Sequence, residues 1–167
     1  GDEKPVVPVR QITQVCVVVR DIQAAMEHYW KILGIGPWRI HTFEPPGLTN
    51  TTIHGGEQPY TMKLAVAEVG DVQWELVEPL EGPSIYKEFL DERGEGLHHV
   101  KFAVDDYDEA VSAFGEKKIG VLMSGTFRGG TFAYMETEDT LGMIAEITKR
   151  APDTPMPAPE ATYPSEE

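Results

Sequence analysis

Four polar side chains interrupt runs that are otherwise apolar. Gln14 stands in Ile12-Thr13-Gln14-Val15-Cys16-Val17-Val18-Val19, and Glu75 in Val72-Gln73-Trp74-Glu75-Leu76-Val77. His99 opens the run from His99-Val100 to Val104, and Glu146 stands in Met143-Ile144-Ala145-Glu146-Ile147. A buried carboxylate costs several kcal/mol unless it is paired or bound to a cation. The chain has 28 Asp and Glu but only 14 Lys and Arg, so Lys and Arg are a scarce source of partners. A divalent metal between the two glutamates would supply the missing charge.

Taken singly, each residue has an ordinary explanation. A histidine in a strand can bond to a backbone carbonyl, a glutamine to backbone or water, and a glutamate can sit on a rim facing solvent. What sets these four apart is their place in a repeat. Gln14, Val15 to Val19, Asp21, Ala25 and Tyr29 lie 85 residues before His99, Val100 to Val104, Asp106, Ala110 and Phe114. Gln14 and His99 therefore match in the first strand of each half, and Glu75 and Glu146 in the last.

The elements that carry them read as two β-α-β-β-β halves. Gln11 to Arg20 is rich in β-branched residues and predicts a strand, after which Asp21 caps a helix ending at Gly34-Ile35-Gly36-Pro37. Ala25, Tyr29 and Leu33 fall on one face of that helix, with Met26 and Trp30 beside them. Trp38 to Phe43, Tyr60 to Val69 and Val72 to Pro79 complete the first half, with Glu44 to Pro59 as a loop or irregular hairpin. A short helical link over Gly82 to Arg93 leads into Leu97 to Val104, a helix over Asp106 to Lys118 capped at Asp105 or Asp106, and strands from Gly120, Thr131 and Leu141. The domain expectation is an N-terminal extension (1–10), a single domain (11–148) built from module one (11–80), a linker helix (81–94) and module two (95–148), and a Pro-rich acidic tail (149–167). The tail has no apolar period, so it is expected either to be mobile or to lie along another surface.

Asp21-x-x-x-Ala25 after the first strand, Trp74-Glu75-Leu76-Val77-Glu78-Pro79-Leu80 and Gly96-Leu97-His98-His99-Val100 resemble methylmalonyl-CoA epimerases of the vicinal-oxygen-chelate superfamily, from about Ile12 to Thr148. The resemblance implies an α+β fold, two βαβββ modules forming an open eight-stranded cup. It implies Gln14, Glu75, His99 and Glu146 as the metal ligands, one from each of four strands, with Glu146 and Glu75 as the catalytic carboxylates. The epimerases usually carry His where this chain has Gln14 and often Gln where it has Glu75, and the set found here also looks like one branch of glyoxalase I. They use a further glutamate on the strand equivalent to Thr61 to Ala67, which here reads Met62-Lys63-Leu64-Ala65-Val66. Extradiol dioxygenases of the same superfamily need two His and one carboxylate around Fe(II), which Gln14 disfavours.

Oxygen donors with a single imidazole suit one six-coordinate divalent ion, such as Co, Mn, Ni, Fe or a water-ligated Zn, rather than a closed tetrahedral zinc. Such a site predicts Lewis-acid activation of a carbonyl or thioester with proton abstraction at the adjacent carbon by Glu146. An isomerase or epimerase is the leading expectation, a glyoxalase-type lyase the nearest alternative, and a metal-free drug-sequestering protein a third reading on the same fold. Trp38, Lys63, Arg128 and Tyr134 are the predicted substrate contacts. His98 is expected to face away from His99 by strand alternation, and buried Cys16 is given no role.

Composition narrows the partners. A formal charge of -14 argues against nucleic acid or an anionic membrane, and mildly against a polyanionic coenzyme A substrate, unless Arg39, Lys63 and Arg128 form a local basic patch. No run reaches the roughly 20 apolar residues of a membrane span, and the first residues lack the pattern of a signal peptide. These features predict a soluble cytoplasmic protein with a small-molecule substrate, and the resemblance to the superfamily implies a homodimer.

Overall fold

A computed structural model describes residues 3–165. The N-terminal extension and the tail expected from the sequence run into residues 1, 2, 166 and 167, which lie outside the described residues. The first half of the chain contains β1 (Gln11–Val18), α1 (Ile22–Leu33), β2 (Trp38–Phe43), β3 (Leu48–Ile53), β4 (Gly56–Glu57), β5 (Met62–Val69) and β6 (Val72–Pro79). After α2 (Ile85–Arg93) come β7 (Gly96–Ala103), α3 (Tyr107–Glu116), β8 (Val121–Phe127), β9 (Gly130–Met135), α4 (Glu138–Leu141), β10 (Ile144–Arg150) and β11 (Ala161–Tyr163).

Local chemistry sets the helix ends. Asp21 accepts from the Ala24 N–H at 3.1 Å to start α1, and Gly34 ends it with φ 68°, a left-handed conformation that glycine adopts without a Cβ clash. At α3 the cap is Asp106, accepting from the Glu109 N–H at 3.0 Å. The buried face of α1 is Ile22 and Met26, with Tyr29 against Trp38 and Trp74. Leu33 and Trp30, expected on or beside the packed face, are 65% and 40% exposed.

All strands join one mixed sheet in the order β11-β2-β5-β6-β1-β7-β10-β9-β8-β3-β4. The order β1-β6-β5-β2 is mirrored by β7-β10-β9-β8, with β1 parallel to β6, β7 parallel to β10, and β1 antiparallel to β7 at the centre. The sheet is curved and unclosed, its ends being β11 and β4. Its curl is visible in Phe43 of β2 stacking on Phe127 of β8 with ring centroids 3.8 Å apart, although six strands lie between them in the sheet order.

Among the described residues the sheet has eleven strands where eight were expected, with β11, β3 and β4 lying outside the mirrored strands. The segment read as a loop, Glu44 to Pro59, supplies β3 and β4, and β3 pairs with the outer strand β8 of the other half. Thr49, Thr51 and Thr52 suit that edge, since threonine favours extended backbone. The tail supplies β11, which pairs with the opposite outer strand β2. Each strand covers backbone groups that an exposed edge would leave unpaired. Among the described residues, no helix is long and apolar enough to cross a membrane.

Candidate metal centre

The four central strands β6, β1, β7 and β10 bring Glu75, Gln14, His99 and Glu146 together at the floor of the cup, all four buried. His99 Nε2 lies 3.3 Å from Glu75 Oε1 and 3.3 Å from Glu146 Oε1. None of these three atoms has a hydrogen-bond partner. Three buried polar atoms that converge on one point without a hydrogen bond fit a bound cation, because in its absence two buried carboxylates share the charge of a single imidazole.

Second contacts orient these groups. Gln14 Nε2 donates to Gln73 Oε1 at 2.5 Å, which leaves the Gln14 amide oxygen as the free end. His98 Nδ1 and His99 Nδ1 are 2.8 Å apart. Burial, then the charge of neighbouring His99, holds the His98 imidazole well below its ordinary pKa, so His98 is neutral, and the bond between the two Nδ1 atoms engages the far side of the His99 ring. His99 Nε2 therefore faces the carboxylates. Outer hydrogen bonds of this kind fix the tautomer and ring plane of metal-ligating histidines. Without a cation, burial works against a charged His99, but Glu146 and Glu75 outweigh it and hold the pKa up at about 9.

Cys16 is fully buried, and its thiol lies with ligand atoms of Glu75 and His99 inside 4.8 Å of one another. Burial, followed by the charge of Glu75, pushes this thiol well above its ordinary pKa. A protonated sulfur beside two carboxylates is a weak donor rather than a nucleophile. The Tyr86 and Tyr134 hydroxyls bond to each other, and burial together with the nearby glutamates keeps both protonated.

Above this floor lies a cavity of about 630 Å³, with Gln14, Glu75, Glu146, Tyr86 and Tyr134 at its base. Met62, Leu64 and Val66 form one wall, and Phe43, Phe127 and Phe132 another. Arg39, His41, Lys101, Lys149 and Arg150 also face it.

Of the predicted substrate contacts, Tyr134 lines this cavity, and Trp38, Lys63 and Arg128 are not among its lining residues. Trp38 is fully buried on the reverse side of the sheet with Ile22, Met26 and Leu76. Lys63 alternates with the cup-facing Met62 and Leu64 and so points away. Arg128 sits in the β8–β9 turn, its guanidinium 5.6 Å from the Phe127 ring centroid. Only Arg39 of the anticipated basic patch reaches the cup, where it bonds to Glu68 at 2.5 Å.

Residues to which the sequence reading gave no site role sit one strand step from those in it. Cys16 and Gln14, Gln73 and Glu75, and Lys101 and His99 are each two apart and so share a face. That spacing was the available signal. His98 follows alternation in packing against Phe89 of α2 at 5.1 Å, yet its ring edge still reaches back to His99.

Comparisons with known proteins agree with this architecture. An uncharacterised protein of Bacillus subtilis (strain 168), YqjC, is 24% identical over 140 residues, covering 82% of this chain and 90% of that protein. The mitochondrial methylmalonyl-CoA epimerase of Bos taurus is 27% identical over 147 residues, covering 86% of this chain and 76% of that protein. The crystal structure of methylmalonyl-CoA epimerase from Mycobacterium tuberculosis superposes with a TM-score of 0.62 at 20% identity, covering 90% of this chain and 94% of that one. A Streptomyces coelicolor methylmalonyl-CoA epimerase variant in complex with 2-nitronate-propionyl-CoA gives 0.61 at 20% identity, covering 90% and 100%. The sequence model of one superfamily matches residues 13–134, and the chain belongs to that superfamily, Glyoxalase/Bleomycin resistance protein/Dioxygenase.

Proposed function

We propose that this protein is a divalent-metal-dependent isomerase of the epimerase type, acting at the carbon next to a carbonyl or thioester. The observation that carries this reading is the convergence of Glu75 Oε1, His99 Nε2 and Glu146 Oε1, buried and unpartnered, at the foot of the cup. Glu75, His99, Glu146 and the amide oxygen of Gln14 would hold the ion, with Co, Mn, Ni, Fe or Zn suiting the donor set. When bound, the ion supplies Lewis acidity toward a substrate carbonyl oxygen.

The protein's own groups do the rest. Glu146 removes the proton from the adjacent carbon and returns it to a neighbouring atom on the same face, while delivery to the opposite face would fall to a second acid, Glu75. Tyr134 and Tyr86, kept protonated, present a hydroxyl dipole beside the base. Apolar walls exclude water, which strengthens each electrostatic contact at the floor.

One observation favours a glyoxalase-type variant with a single base. The β5 side chains that line the cavity are Met62, Leu64 and Val66, and the acid that follows them on the same face, Glu68, is engaged by Arg39 and Gln73. Proton transfer then starts and ends at Glu146.

Metal content of gently purified protein, followed by solvent-deuterium incorporation into carbonyl compounds and thioesters, tests the proposal. Near one equivalent of metal and metal-dependent exchange are expected. Protein that refuses added Co²⁺, Mn²⁺, Ni²⁺ and Zn²⁺ while binding small molecules tightly would replace the enzyme with a sequestering protein.

A further inference from the structure

The charge of the cup is opposite to that of the chain. With 28 acidic and 14 basic side chains overall, the cavity is nevertheless lined by Arg39, Lys101, Lys149 and Arg150 against only Glu75 and Glu146. Three of those cations are already engaged: Arg39 with Glu68, Lys149 with Asp108 at 3.0 Å, and Arg150 with the Arg128 carbonyl at 3.0 Å. Lys101 has no side-chain hydrogen bond or ion pair among the described residues, and it is half-buried.

Its position is specific. Lys101 lies in β7 between Gln14 of β1 and Glu146 of β10 in the strand register, one same-face step from His99. An ammonium in a cavity, next to the reacting centre and without an acid of its own, is an anion site awaiting its occupant.

The tail limits the size of that occupant. After β10 it is tied to the β8–β9 turn by the Ala151 N–H donating to the Gly129 carbonyl at 2.8 Å. It reaches the opposite wall where the Glu160 N–H donates to the Ile40 carbonyl at 2.9 Å and β11 joins β2. Between these ties Met156, Pro157 and Pro159 face the cavity. The tail thus crosses the mouth of the cup as a partial roof held on both walls.

Resting on the metal-dependent reading above, we infer that the substrate is a compact carboxylic acid with an apolar body. Its carboxylate sits on Lys101, its body lies against Phe43, Phe127 and Phe132, and the tail restricts entry of a ligand as long as a coenzyme A thioester.

Calorimetric titration with three probes tests this: phenylpyruvate, phenylacetone, which lacks the carboxylate, and phenylacetyl-coenzyme A. Phenylpyruvate is expected to bind the wild type best, to lose at least about tenfold in affinity in Lys101→Met, and to recover in Lys101→Arg. Phenylacetone should bind both proteins equally. Far-UV circular dichroism and the thermal midpoint of each variant show that the loss is local. Equal phenylpyruvate affinity in wild type and Lys101→Met, no phenylpyruvate binding at all, or tighter binding of the coenzyme A thioester would overturn the inference. Repeating the titration on metal-stripped protein separates the two proposals. A Lys101 effect that persists there supports the anion site even if the metal chemistry fails, and metal uptake without a Lys101 effect leaves the metal reading standing alone.

Discussion

The two halves of this protein follow one plan and contribute unequally. In the first half, β1, β6 and β5 offer the cup an amide from Gln14, one carboxylate from Glu75 and the apolar wall of Met62, Leu64 and Val66. In the second half, the equivalent β7, β10 and β9 offer His99 with His98 behind it, Glu146, Tyr134 and the unpaired Lys101. A shared backbone frame thus fixes where side chains can meet, while side-chain identity polarises the site. Both halves supply apolar wall, while the second adds the imidazole, the tyrosine hydroxyl and the ammonium that the first lacks at equivalent places.

That contrast can be broken at several points. The largest effect is expected from Glu146→Gln, which removes the proposed base. Deuterium incorporation should fall about 10³-fold, whereas Glu75→Gln should act mainly through metal content. Equal loss of exchange in both variants at full metal occupancy would erase the distinction between halves.

His99→Ala should abolish metal uptake and leave two buried carboxylates without their cationic neighbour, at a cost of about 3 to 5 kcal/mol in denaturant unfolding. Retained stability with unchanged metal stoichiometry would show that the convergence at the cup floor is incidental.

The pH response sharpens the same point. In metal-free protein the His99 pKa is raised from 6.5 to about 9 by Glu146 and Glu75 against the opposing effect of burial. Its contribution to stability is therefore fully present below pH 6.5 and is lost as pH rises through 9. Thermal melts should show this decline in stripped protein and not in metal-loaded protein, where an ion takes the place of the proton. A stripped protein whose stability is flat across that window contradicts the assignment.

Gln73→Ala should weaken metal affinity about tenfold by releasing the Gln14 amide, read by competition with a chelator. The smallest effect is expected from Lys63→Met. Pointing away from the cup, Lys63 should change stability by no more than about 0.5 kcal/mol and leave metal and ligand binding as they are.

Much of this was legible before any coordinates. Apolar runs with a single polar interruption marked the floor residues, because burying a carboxylate in a strand demands a compensating charge wherever the strand lies. The repeat at 85 residues paired Gln14 with His99 and predicted the order of helix and strands. Asp21 and Gly34 announced the ends of α1, since caps depend on local backbone geometry. These are properties of short segments, and the sequence by itself determined them.

Contacts between distant segments were decided only by the tertiary structure. Trp38 and Tyr134 are both aromatic strand residues, and which face each one presents depends on register: Tyr134 entered the cup and Trp38 the reverse core. The Glu44 to Pro59 segment reads as a loop until β8 provides the partner that makes β3 a strand, and the tail lacks any fold of its own until β2 provides the ladder for β11. The acidic composition also pointed away from an anionic ligand. An average over the chain cannot register that four cations face one cavity, and it is the curl of the sheet that gathers Arg39, Lys101, Lys149 and Arg150 around the same enclosed space.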